Sequence, residues 1–127
     1  MIVKRTHIGV SKIPKAGLGL IASEKILSGE IIWENNSKST LSYTKEEWDH
    51  LPEAFKKSIL KYVYKSDNIY FLNLDDSRFF NHSVNPTAIQ DEDGNYVAKD
   101  DIEADEEITC NYKEFYDTDW FKQTIDE

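Results

Sequence analysis

Arg78-Phe79-Phe80-Asn81-His82-Ser83-Val84-Asn85-Pro86 is the stretch from which the rest of this chain can be read. Two aromatic rings run directly into three hydrogen-bonding side chains, and a proline follows. A surface loop gains little from Phe79 and Phe80. A packed strand gains little from Asn81, His82 and Ser83, because buried polar groups cost free energy unless their donors and acceptors are paired. The pattern predicts a strand that ends inside the protein, where its polar tail meets another backbone segment or a ligand. The alternative is a buried turn whose side chains cap nearby amides. On these residues alone the turn is favoured, because polar turns are common and ligand sites are few.

Composition narrows the field. The chain has 127 residues, enough for one domain with a proper core, and its 31% charged and 13% aromatic content is that of a folded protein. The formal net charge is −9. Such a chain repels nucleic acid, which is bound through clustered Lys and Arg, and it steers basic partners towards it. The single cysteine, Cys110, excludes an internal disulfide and a multi-cysteine zinc site. His7 and His50 show no ligand spacing with His82, so no metal is expected. No apolar run approaches the ~18 residues of a membrane span, and the N-terminus is too polar for a secretory signal. An intracellular protein is expected, cytoplasmic, or in a host nucleus if viral or a secreted effector.

Outward from the opening stretch, the chain reads as strands and turns with one helical interruption. Residues 2–10 suit a strand, Ser11 to Gly17 a loop, and Leu20-Ile21-Ala22 a second strand. Gly17 and Gly19 flank Leu18; spacing alone leaves open whether they serve a turn or a close backbone approach to a ligand. Ile31 to Glu34 is a short apolar strand. Thr44 and Glu47 form a capping box, and Pro52 starts a second helix. Phe55, Ile59, Tyr62 and Val63 continue it as a core-facing stripe, ended by Ser66-Asp67-Asn68. Ile69 to Asp75 is a strand. Gln90 to Asn95 is an acidic hairpin turn rather than a calcium loop. Val97–Ile102 and Glu107–Tyr112 are the last strands, and an aromatic tail follows. No repeat or low-complexity segment interrupts this order.

Three segments together resemble the SET-domain protein lysine methyltransferases. The family pattern R-F-x-N-H-S-C-x-P-N is matched here by RFFNHSVNPT, residues 78–87. The pattern A-x-x-D-I-x-x-x-E-E-[LI]-T-x-D-Y is matched by AKDDIEADEEITCNY, residues 98–112. The pattern G-x-G-[LV]-x-A is matched by Gly17 to Ala22. Three motifs in the family's order, over residues 17–112, make a specific match.

The resemblance implies a mainly β, β-rich α+β fold: several small twisted sheets, a knot-like threaded C-terminal segment and a short helical insert. It implies a single domain over residues 1–127, with the insert at about 41–66 and an aromatic tail at 113–127. The chain lacks the cysteine-rich zinc segments of many members and looks like the minimal form of small viral and bacterial ones. S-adenosyl-L-methionine is the implied cofactor, held by Lys15, Gly17, Leu18, Gly19, Asn81 and His82, with Trp120 as an aromatic cover from the tail. Tyr112 is the implied catalytic tyrosine, and Tyr70 the implied wall of the lysine channel. The implied substrate is a lysine in a basic protein or peptide, a histone tail by family habit. A homodimer is plausible for so small a domain.

Departures from the pattern keep a second reading alive, an inactive module that binds a basic peptide. Val84 stands where Cys is usual, a tolerable exchange. Thr87 replaces Asn, which is expected to loosen the threaded junction. Asn111 replaces Asp, losing a charge but keeping an acceptor. Cys110 stands where Phe or Tyr often limits the number of methyl groups added, so a small residue there implies room for higher methylation.

Overall fold

The structure, a computed structural model, describes residues 1–114. It opens with strands β1 (Thr6–Val10) and β2 (Leu18–Ala22), paired antiparallel from Thr6↔Ala22 to Val10↔Leu18. A short strand β3 (Ile31–Trp33) follows, then β4 (Thr40–Thr44) and helices α1 (Lys45–Asp49) and α2 (Glu53–Ile59). Strands β5 (Tyr64–Ser66) and β6 (Ile69–Asn73) form a hairpin. A 3-10 turn, Asp76–Phe79, leads into β7 (Asn81–His82). Strands β8 (Ala88–Gln90), β9 (Tyr96–Ala98) and β10 (Glu107–Cys110) complete the set, and a second 3-10 turn spans Tyr112–Glu114.

These strands make three small sheets, ordered β1-β2-β10-β7, β3-β9-β8 and β4-β6-β5. The apolar faces of the first two meet in one core, in which Leu20, Ile26, Ile32, Ile102 and Ile108 are sealed from solvent. A second cluster of Trp48, Val63, Tyr70 and Leu72 lies between α1 and the β4-β6-β5 sheet. Among the described residues no helix is long and apolar enough to cross a membrane.

Several local readings hold and three are corrected. Thr44 and Glu47 form the capping box, each side chain bonding the other's backbone amide. The acidic turn joins β8 to β9, with Asp91 accepting the amides of Asp93 and Asn95 and Gly94 at φ +82°. The helical stripe, however, stops early. Helix α2 gives way after Ile59, whose carbonyl accepts the amides of Tyr62 and Val63, and the chain then turns into β5. The cause is the turn at Asp67 and Asn68, both left-handed at φ +51° and +64°. That two-residue geometry matches the twist of paired strands, so it draws Tyr64–Ser66 into a hairpin rather than ending a helix.

The opening motif is likewise neither a long strand nor a plain turn. Asp75 accepts the Ser77 amide and hydroxyl, capping a 3-10 turn that carries Arg78 and Phe79. Phe80 is buried in the core, and only Asn81 and His82 extend as a strand. That strand pairs in parallel with β10, a non-local pairing through Thr109↔Asn81 and Cys110↔His82. Thr87 tightens it instead of loosening it. Its amide donates to Thr109 Oγ1 at 3.1 Å, its hydroxyl accepts the Thr109 amide at 2.9 Å, and the same hydroxyl donates to the Glu107 carbonyl at 3.2 Å.

Candidate active site

The glycine loop is shaped by its own backbone. Ser11 N–H donates to the Gly17 carbonyl at 2.8 Å, closing the loop at its base. Gly17 sits at φ +76°, and a Cβ there would meet only Lys61 Nζ at 3.9 Å, so glycine is needed there for conformation. Lys15 is also left-handed, at φ +66°, and its side chain is exposed. Gly19 differs. It is buried, and a Cβ there would lie 2.6 Å from Glu107 Oε2 and 3.0 Å from Asn81 Nδ2. The protein itself occupies the space that a side chain would need.

Asn81 is the clasp between that loop and β10. Its amide Nδ2 donates to the Leu18 carbonyl and to Glu107 Oε2, both at 2.9 Å. One residue on, His82 Nδ1 accepts the backbone N–H of Tyr112 at 3.1 Å, and the two rings lie 5.3 Å apart. Accepting at Nδ1 makes this imidazole neutral with its proton on Nε2. Burial, with the nearby Lys113 charge, holds the His82 pKa below its usual value, which favours that form. The Tyr112 hydroxyl donates to the Phe80 carbonyl, so the opening motif grips this tyrosine at both ends.

Tyr112 forms part of the wall of a cavity of about 400 Å³. Residues on one face of the β4-β6-β5 sheet, Thr40, Ser42, Tyr64, Phe71 and Asn73, form one side. Trp33, Phe80, Tyr96 and Cys110 from the core sheets line it as well. Lys61 and Arg78 are its charged members among the described residues, and no carboxylate there lines it. The Arg78 guanidinium lies 5.5 Å from the Tyr62 ring and 5.2 Å from the Phe79 ring, which fixes its plane. Burial pushes the Tyr112 and Tyr64 phenols and the Cys110 thiol well above their usual pKa values, so all three stay neutral near pH 7.

The expected residues are therefore placed unevenly. Gly17, Leu18, Gly19, Asn81, His82 and Tyr112 come together around β10 and the loop beside it. None of Lys15, Gly17, Leu18, Gly19, Asn81 and His82 lines the cavity; His82 meets its wall through the Tyr112 amide. Tyr70 must be corrected: it points to the other side of its sheet, stacked on Trp48 with ring centroids 4.6 Å apart and planes 3° from parallel. Strand alternation decides this, because Tyr70 and Leu72 share the face covered by α1 while Phe71 and Asn73 face the cavity. Tyr64, paired across from Phe71, is the strand tyrosine at the cavity. Trp120 lies outside the described residues.

Sequence reading missed Tyr62 and Tyr64, which it placed on a continuing helix, and it gave no role to Lys61, Arg78 or Glu107. The Asp67-Asn68 pair was the available signal, since a two-residue turn there sends Tyr64 and Ser66 to one face of a strand. Val84 proves 80% exposed, so the loss of the usual Cys leaves no gap in the core. Asn111 keeps its acceptor role, receiving the Lys113 amide at 3.0 Å.

Comparison with known proteins agrees with this geometry. The family model for the SET domain matches residues 17–113. A candidate histone methyltransferase of Plasmodium falciparum has a similar structure, with a TM-score of 0.59 and 29% identity over 87% of this chain and 95% of that one. The Chaetomium thermophilum Polycomb Repressive Complex 2, in a humanized mutant bound to an inhibitor, matches with a TM-score of 0.67 and 18% identity, over 94% of this chain but 16% of that one. The same complex in an autoinhibited conformation bound to S-adenosylmethionine matches at 0.67 and 20%, over 98% and 17%. At those identities the complex speaks for the fold alone. No curated protein sequence matches the chain. With its family model spanning the glycine loop, the Asn81-His82 step and Tyr112, this chain belongs to the SET-domain family.

Proposed function

We propose that this chain is a protein lysine N-methyltransferase that uses S-adenosyl-L-methionine and modifies the ε-amine of a lysine in a basic protein, such as a histone tail. The observation that carries the reading is Tyr112, held at its amide by His82 and at its hydroxyl by the Phe80 carbonyl, on the wall of an aromatic cavity. The Plasmodium falciparum neighbour's description as a candidate histone methyltransferase supports the substrate class, and membership of the SET-domain family supports the cofactor class.

The residues present fit that cofactor. A cavity of about 400 Å³ is within the range of small-molecule sites. Lys61 and Arg78 offer positive charge to a carboxylate, and the absence of lining carboxylates among the described residues leaves that charge uncompensated. Neutral aromatic faces suit a sulfonium, which they attract through their quadrupoles. When bound, the cofactor supplies a methyl group activated by its positive sulfur.

The protein's own part is alignment and desolvation. A free lysine has a pKa of ~10.4 and must lose its proton before it can attack. Aromatic walls disfavour the charged amine, which lowers that pKa. Tyr112 does not take the proton, because burial keeps its phenol protonated. Its hydroxyl hydrogen is committed to the Phe80 carbonyl, which leaves the oxygen lone pairs fixed in direction. Catalysis then rests on holding the reacting atoms in line rather than on a general base. Cys110 is small and buried at the cavity, so the reading includes di- or trimethylation.

Calorimetry with S-adenosylhomocysteine, followed by radiolabelled methyl transfer to histones and cell lysate, tests this function. Binding and labelled protein are expected. Absence of both would leave a SET-fold module without the activity.

A further inference from the structure

Glu107 opens β10, and its carboxylate touches both halves of the candidate cofactor site. Oε1 accepts the Ser11 hydroxyl at 2.6 Å, and Oε2 accepts Asn81 Nδ2 at 2.9 Å. Ser11 belongs to the glycine loop: its amide closes the loop on the Gly17 carbonyl, and its oxygen accepts the Ile13 amide at 3.0 Å. Asn81 belongs to the opening motif and holds the Leu18 carbonyl with the same amide nitrogen. Gly19 is pressed against the carboxylate so closely that a Cβ would lie 2.6 Å from Oε2. No salt bridge forms at Glu107 among the described residues. A half-buried carboxylate without a cation is a poor device for stability. What it does have is two neutral donors, one from each side of the site.

We propose that Glu107 is a positioning residue: it fixes the glycine loop against the Asn81-His82 step, and so sets the affinity for the methyl donor without acting on the acceptor lysine. The inference rests on the methyltransferase reading above. Removing the carboxylate frees Ser11 and leaves the Asn81 amide short of one acceptor, so the loop loses its register. Glutamine preserves the link. Its oxygen can accept from Asn81 while its amide donates to the Ser11 oxygen, whose hydrogen turns away.

The full chain and three variants, Glu107→Ala, Glu107→Gln and Ser11→Ala, are compared by calorimetry with S-adenosylhomocysteine, by thermal melting and by steady-state kinetics. Binding by the unaltered chain comes first; if it does not bind, the methyltransferase reading falls rather than the role of Glu107. Given binding, Glu107→Ala should raise both Kd and the donor KM by about tenfold or more, the loss of a charge-assisted bond. Its peptide KM, and kcat at saturating donor, should stay near those of the unaltered chain. Glu107→Gln should recover to within about threefold, the scale of a neutral hydrogen bond. If Glu107→Ala fails to fold, Ser11→Ala carries the test, with Kd raised about threefold and an unchanged melting temperature. Unaltered Kd in the Ala variants, a loss confined to kcat, or a Gln variant as impaired as Ala would overturn the proposal.

Discussion

The two faces of β6 share five residues and serve opposite ends. One face presents Tyr70 and Leu72 to Trp48 and is sealed by α1. The other presents Phe71 and Asn73 to the cavity, with Tyr64 from the next strand and Thr40 and Ser42 from β4. Two tyrosines on one hairpin, Tyr64 and Tyr70, thus differ in role although their chemistry is identical. Register, not residue type, assigns a side chain to packing or to a site.

The largest expected effect belongs to the sealed face. Tyr70→Ala removes a stacked ring from a closed cluster and should cost about 3–5 kcal/mol of stability, read by denaturant unfolding. An unfolding free energy within 1 kcal/mol of the unaltered chain, on the order of a surface change, would contradict that placement. Tyr64→Ala should show the reverse pattern, a loss of methyl transfer of about tenfold or more with a smaller loss of stability. If the two variants lost activity and stability to the same extent as each other, the two faces would not be distinct. Next comes Cys110→Phe, which fills space on the cavity wall; mass spectrometry should show the product shifted towards monomethyl-lysine. A product distribution unchanged from that of Cys110 would mean that other residues set it.

The smallest effect is one of pH. The His82 pKa is depressed by burial, so as pH falls the unfolded chain takes up the proton first. The contribution is therefore complete above about pH 6.5, the unperturbed value, and is lost as pH falls from there through the lower folded pKa. Protonation at Nδ1 also displaces the Tyr112 amide. NMR should show His82 titrating below 6.5, with the Tyr112 amide shifting in step. Independent titration of the two signals would separate them.

Much of this arrangement was legible from residue order. The Asn81-His82 step, the glycine loop and Tyr112 carry a linear motif whose pieces the fold gathers through one parallel pair, β7 on β10. Capping and hairpin turns were legible because their chemistry is local, as at Thr44–Glu47 and Asp91–Asn95. The rest depends on partners distant in sequence. Tyr64 and Tyr70 could not be sorted until the Asp67-Asn68 turn set the register. Thr87 looked like a weakness and became a clasp because Thr109 lies across from it. Gly19 read as room for a ligand, whereas the space is filled by Glu107, 88 positions later.

The central claim is that Tyr112, clamped by the opening motif, aligns methyl transfer. The direct measurement is single-turnover transfer of a radiolabelled methyl group by Tyr112→Phe, beside its affinity for S-adenosylhomocysteine. The account predicts a rate lower by about 100-fold, the scale of losing one positioned polar group, with binding and folding largely kept. A variant that transfers at the full rate would contradict it.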